Sequence, residues 1–122
     1  MQYSKQILKY FYNLKNAGHF ADVTHVYCGT AGTKENGDVV VLQIKVLNGV
    51  ILEAKFLVDG GVVAIASMAW LSEWLRGKTL KQARQLTAEE VMDVLSIPGA
   101  KKHIALLVVD ALQLALNFKM EV

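Results

Sequence analysis

The sequence predicts an α+β domain in which a short helix leads into strands and the strands into helices. Two observations carry this expectation. Val39 to Leu47 and Val50 to Val58 are β-branched, apolar runs joined by Asn48-Gly49, a dipeptide that accepts the positive φ angles of a tight hairpin turn. Beyond them, Gly60 to Leu75 and Ile104 to Phe118 are too long for single strands, lack alternation and carry little charge, the pattern of buried helices.

In chain order, Ser4 stands as an N-cap before Ile7, Leu8, Phe11 and Tyr12, an apolar helical face that ends before Gly18. Residues 22–28 read as extended. Gly29 to Asp38 holds three glycines among polar residues and predicts a mobile loop. The hairpin follows, and then a buried helix in which Glu73 is the sole charge between Gly60 and Leu75. Thr79 and Thr87 each cap a further short helix, and Thr87-Ala88-Glu89-Glu90 has the form of a capping box. Ile97-Pro98-Gly99 breaks the chain, and Lys101 opens the last helix. Between Ile104 and Phe118 only Asp110, Gln113 and Asn117 are polar, at spacings of three and four. His103 lies two helical turns before Asp110, at the end of that wet stripe, and is expected to reach solvent or a cleft.

The 122 residues amount to one domain, and 53% of them are apolar, enough to build a core without covalent staples. Thirteen Lys and Arg against 11 Asp and Glu leave a net charge of +2. So small a charge fits neither a disordered chain nor a protein that finds nucleic acid by bulk electrostatics. The single cysteine, Cys28, allows no internal disulfide and no CxxC-type zinc arrangement. No uncharged stretch approaches the ~20 residues that span a bilayer, and Met1 to Lys15 lacks an apolar export core. A cytoplasmic protein, with no nucleic-acid or membrane partner, is expected.

Catalytic signatures are missing: there is no GxSxG, Walker loop, dinucleotide fingerprint or HExxH, so an enzyme is not expected. The glycine-rich segment precedes a strand rather than a helix, which argues against phosphate binding. Arg76, Lys78, Lys81 and Arg84 gather in one region, either as a docking surface for an acidic partner or, more simply, as a solvated helix face.

Tyr3-Ser4, Asn16-Ala17-Gly18, Gly32 through Gly37-Asp38, Leu42-Gln43-Ile44-Lys45-Val46, Ala64-Ile65-Ala66-Ser67, Glu73-Trp74-Leu75-Arg76-Gly77-Lys78 and Lys102-His103 follow the order and spacing of one family. Over nearly its whole length the chain resembles the iron-sulfur cluster assembly scaffold IscU, equivalently the N-terminal domain of NifU. The resemblance implies a three-stranded antiparallel sheet packed by helices. It also implies a site that holds a nascent cluster, or zinc, through three cysteines, with an aspartate just after the first and a histidine just before the third. Sulfur would come from a cysteine desulfurase.

In this chain the three cysteine positions hold Asn36, Gly61 and Ile104, whereas the companions Asp38 and His103 are retained. A [2Fe-2S] cluster usually needs four protein ligands, mostly thiolates, so assembly on one chain is not expected. Asp38 and His103 remain as a reduced site for Zn or Fe, with Cys28 as a third donor if the glycine loop folds back, and otherwise as a buried thiol without a role. The Leu-Pro-Pro-Val-Lys motif read by the family's DnaK-like chaperone is altered to Ile97-Pro98-Gly99-Ala100-Lys101, which weakens that partnership. Around the former site, Val62, Val63, Met68 and Trp70 replace small or polar residues. They either fill the old pocket as core or form an apolar surface for a homodimer or another partner. The expected role is a binding module in iron-sulfur or metal trafficking; the alternative is a metal-independent interaction module using that apolar surface.

Overall fold

The computed structural model describes residues 2–121. Helix α1 (Lys5–Phe11) is followed by strands β1 (Val26–Gly32), β2 (Val39–Leu47) and β3 (Val50–Asp59). Helices α2 (Val62–Trp74), α3 (Leu80–Arg84), α4 (Ala88–Leu95) and α5 (Lys102–Asn117) complete the chain. The strands form one antiparallel sheet in the order β1-β2-β3. The α+β class and the three-stranded sheet are as expected.

Asn48 and Gly49 take positive φ angles of 53° and 76° and close the hairpin between β2 and β3. Along β2 the pleat turns Val40, Leu42 and Ile44 to one face, where all three are fully buried against the helices. Helix α5 lies along β1 and β2, and α2 lies along β3. Nine residues of α2 are buried, from Val63 to Ser72, which is why the helix reads as apolar on every side. The opposite face of the sheet is partly covered by Phe20, whose N–H donates to Gln43 Oε1 at 2.8 Å and whose ring lies under Lys45 and Lys55.

Capping follows the sequence closely. Ser4 Oγ accepts from the Ile7 N–H and donates to the Leu95 carbonyl, fastening α1 to the end of α4. Thr87 and Glu90 form the expected capping box, and Thr79 forms a second one with Gln82. On α1, Ile7 is buried and Phe11 half-buried, whereas Leu8 is 37% exposed and Tyr12, the C-cap residue just past the helix, 79%, because a seven-residue helix resting on α2 buries less than a full stripe.

Two expectations are corrected. Residues 22–25 are turns, held by Asp22 Oδ1 accepting from the Thr24 N–H and hydroxyl, and the strand begins only at Val26. The glycine segment is not one long mobile loop: Gly29 to Gly32 belong to β1, and only residues 33–38 form the connection, built on a short 3-10 turn at Lys34–Asn36. The reason lies at Gly29. A Cβ there would overlap the backbone of Ala111 and Ala115, so glycine serves the close approach of α5 to the sheet and not flexibility.

Candidate functional site

The turn between β1 and β2, the start of α2 and the start of α5 meet at one end of the sheet. Thr33 caps the 3-10 turn by accepting from the Asn36 N–H, and Gly37, at φ 103°, turns the chain into β2. That leaves Asp38 half-buried, with Oδ1 accepting from the Gly61 N–H at 2.9 Å. Gly61 is the N-cap residue of α2 and has no capping side chain of its own, so Asp38 caps the helix from across the site. Gly60 makes this fit, because a Cβ there would overlap Asp38 Oδ1.

On the far side, His103 is exposed in the first turn of α5, while its neighbour Ile104 is turned into the core at 5% exposure. Asn36, Asp38 and His103 line a groove of about 300 Å³ together with Gly32 and Leu107. The structure therefore brings together Asp38, His103 and Asn36, with Gly61 bonded to Asp38 and Ile104 behind His103.

Cys28 is not part of this groove. Side chains alternate along β1, and Gly29 faces α5, so Cys28 points to the opposite face of the sheet, across from Gln43. It also lies four residues down the strand from Gly32, about 13 Å away. The regular pairing of residues 26–32 with β2 prevents the fold-back that would have made it a third donor. Burial pushes the Cys28 thiol upward in pKa, only partly offset by a hydrogen bond with Gln43. Such a thiol is a poor nucleophile at neutral pH.

The apolar replacements are corrected as well. Val63, Met68 and Trp70 are 4%, 0% and 6% exposed and belong to the main core, and Val62 is half-buried against it. Trp70 stacks on Trp74 with ring centroids 5.8 Å apart. These residues belong to the buried interior around α2, and they do not form an apolar surface for a second copy or another partner. In the altered chaperone-type segment, Ile97 is anchored in the core and Pro98 to Ala100 are exposed.

The donor set does not fit a [2Fe-2S] cluster. The groove offers one carboxylate, one imidazole and one amide, no thiol, and a carboxylate oxygen already committed to Gly61. Among the described residues no three His, Cys, Asp or Glu side chains are placed to share a metal, so a closed zinc site is not formed either. The capping of α2 by Asp38 is the feature that reading the sequence missed. Its signal was Gly60-Gly61 ahead of a buried helix that carries no N-cap side chain of its own.

The model of the family described as the NifU-like N-terminal domain matches residues 2–121. The chain belongs to this family. The iron-sulfur cluster assembly scaffold protein IscU of Buchnera aphidicola (subspecies Baizongia pistaciae) is 36% identical over 119 residues, 96% of this chain and 94% of that protein. IscU of Escherichia coli K12 is 35% identical, covering 95% and 92% of the two chains. Among solved structures, a putative iron-sulfur cluster assembly scaffold protein for the SUF system from Fervidobacterium islandicum superimposes with a TM-score of 0.71 at 22% identity, over 94% of this chain and 96% of that one. The N-terminal NifU-like protein of Brucella abortus gives 0.70 at 21%, over 93% and 90%. These relatives are named as scaffolds and NifU-like proteins, not as enzymes. In this NifU-like domain no helix among the described residues is long and apolar enough to cross a membrane.

Proposed function

We propose that this NifU-like domain is a non-assembling member of the scaffold family, a cytoplasmic binding module of iron-sulfur or metal trafficking that docks to a cysteine desulfurase without building a cluster of its own. The observation that carries the reading is the groove: it keeps Asp38 and His103 beside Asn36 and offers no thiol, while Gly61 is bonded to Asp38 and Ile104 is turned into the core. Asp38 holds the start of α2 through one oxygen and keeps the other for a ligand. His103, exposed beside it, adds a nitrogen donor. Two such groups make a weak site for Zn or Fe, one that a metal already held by a partner's thiolates would complete.

Anaerobic reconstitution tests the reading. With iron and sulfide the protein is expected to develop no cluster absorption, and with zinc to bind weakly, the binding being lost in His103→Ala. A stoichiometric cluster on the unaltered chain refutes the non-assembling role. Co-purification with a cysteine desulfurase of the host is expected, and failure with every such enzyme refutes the docking role.

A further inference from the structure

The outer edge of β3 is closed at two places by other parts of the chain. Ile51 donates its N–H to the Lys78 carbonyl and accepts from the Gly77 N–H, both at 2.8 Å. Phe56 donates to the Asn16 carbonyl at 3.1 Å and accepts from the Gly18 N–H at 2.8 Å, so residues 16–18 lie beside it in parallel. Gly18, at φ 127°, then turns the chain away towards Phe20, whose N–H is bonded to Gln43. Backbone groups alternate in direction along a strand, so the N–H and C=O of Val58, two residues beyond Phe56, also point out of the sheet, and among the described residues no backbone group meets them. An apolar groove of about 160 Å³ opens at this gap, lined by Leu14, Ala17, Phe56, Leu57, Val58 and Ile65. Leu14 is 43% and Leu57 46% exposed, so the seat is open to solvent. Single exposed leucines are ordinary on a protein surface, but an apolar groove beside unpaired strand groups is a place where another strand can add.

We infer that this gap in the β3 edge is a docking site for an extended segment of another protein, which adds as a short antiparallel strand, seats an aliphatic side chain in the groove and sets a Lys or Arg against Asp59. Antiparallel pairing lets a single residue of the segment satisfy both backbone groups of Val58. Its side chain then falls on the same face of the sheet as that of Val58, the face on which α2 packs and Ile65 lines the groove. The residue before it lies opposite Asp59 and the residue after it opposite Leu57. Asp59 is exposed and belongs to neither of the ion pairs among the described residues, Lys15 with Glu73 and Lys102 with Glu89. A cation on the segment therefore finds an unpaired carboxylate one strand spacing away. The segment has to end or turn away after the residue opposite Leu57, because the place beside Phe56 is held by Asn16 and Gly18. The same bonds exclude a second copy of this chain pairing through its own β3, since two-fold pairing at Val58 would lay residue 60 of that copy beside Phe56. The inference is independent of the Asp38 and His103 groove.

The test is a titration of the isotopically labelled protein, followed by NMR, with an acetylated peptide ending in Thr-Lys-Leu-Val-amide and with three relatives of it: one with the Leu amide nitrogen methylated, one with Leu replaced by Asp and one with Lys replaced by Glu. The parent peptide is expected to shift the Val58 amide and the Leu14 and Ile65 methyl signals, and to bind more tightly than the Glu peptide. Methylation removes the donor to the Val58 carbonyl and is expected to weaken binding roughly tenfold, as is Asp in place of Leu. Asp59→Lys, at an exposed position, is expected to reverse the preference between the Lys and Glu peptides while leaving the remaining spectrum in place. Absence of the shifts at millimolar peptide overturns the inference. So does equal binding of the methylated or the Asp peptide, and so does an unchanged preference for Lys over Glu in Asp59→Lys. Movement of the same signals with protein concentration alone would assign the groove to a second copy and overturn it as well.

Discussion

Replacing Asp38 by alanine removes the side chain that caps α2, and the cost follows from the geometry. One hydrogen bond of 2.9 Å is lost, between a carboxylate and an N–H at a helix N-terminus. Loss of an N-cap costs about 0.5–2 kcal/mol, and loss of a hydrogen bond to a charged group about 1.5–3 kcal/mol. Asp38 is half-buried and Gly61 exposed, so water replaces part of the bond, which places the loss at about 1–2 kcal/mol. For a domain of this size that corresponds to a fall in Tm of roughly 4–8 °C. Gly60→Ala reaches the same bond from the other side, because its Cβ would displace Asp38 Oδ1. The two substitutions therefore must not add: in the Asp38→Ala background, Gly60→Ala has little left to break, and a double-mutant cycle from urea unfolding should give a coupling of about 1 kcal/mol. Additive effects, or an Asp38→Ala protein as stable as the parent, would falsify the assignment of Asp38 as the cap of α2.

The remaining expectations concern other parts of the molecule. Gly29→Ala forces α5 away from β1 by backbone overlap at Ala111 and Ala115, and should cost about 3 kcal/mol or more in thermal or urea unfolding; a change under 1 kcal/mol contradicts the close approach. Cys28 should react with iodoacetamide far more slowly in the folded than in the unfolded protein at neutral pH. With its pKa raised on folding, the thiol also contributes stability that is present below its unfolded pKa near 9.0 and is lost as pH rises beyond it, a trend that Cys28→Ser should flatten. Restoring thiols with Asn36→Cys, Gly61→Cys and Ile104→Cys should confer cluster absorption on reconstitution. The first two positions are exposed and a Cβ at Gly61 meets open space, while Ile104→Cys gives up core packing worth about 1–2 kcal/mol. A folded triple variant that still takes no cluster would mean that more than the missing thiolates separates this chain from an assembling scaffold.

What was legible in the sequence was whatever local chemistry determines. Asn48-Gly49 can close a tight turn in few other ways, Thr87 and Glu90 satisfy each other's backbone groups within one turn, and a charge-poor run such as Gly60 to Leu75 has to be covered. What was not legible depended on contacts between distant segments. Gly29 looks the same in sequence whether it frees a loop or admits a helix, and only the position of α5 decides. Val63, Met68 and Trp70 are equally apolar as core or as surface, and the direction of α2 decides that. At the groove, Asn36, Asp38 and His103 line one recess, while Cys28 is kept out of it by strand parity, a property fixed by the register of β1.

The same contacts bear on what the loss of three cysteines means for the fold. Their positions lie on three separate elements: Asn36 in the turn before β2, Gly61 at the start of α2 and Ile104 in α5. A metal held at all three would tie those elements together, and metal affinity of that kind is folding energy. Here each tie has a substitute made of ordinary protein. The turn is fastened to α2 by Asp38 and Gly61, and α5 joins the core through Ile104, in the cluster that also contains Val63 and Met68. Each fully buried aliphatic side chain of that kind is worth about 1.5–3 kcal/mol. In this chain the turn before β2, the start of α2 and the start of α5 are thus tied together by protein contacts of their own.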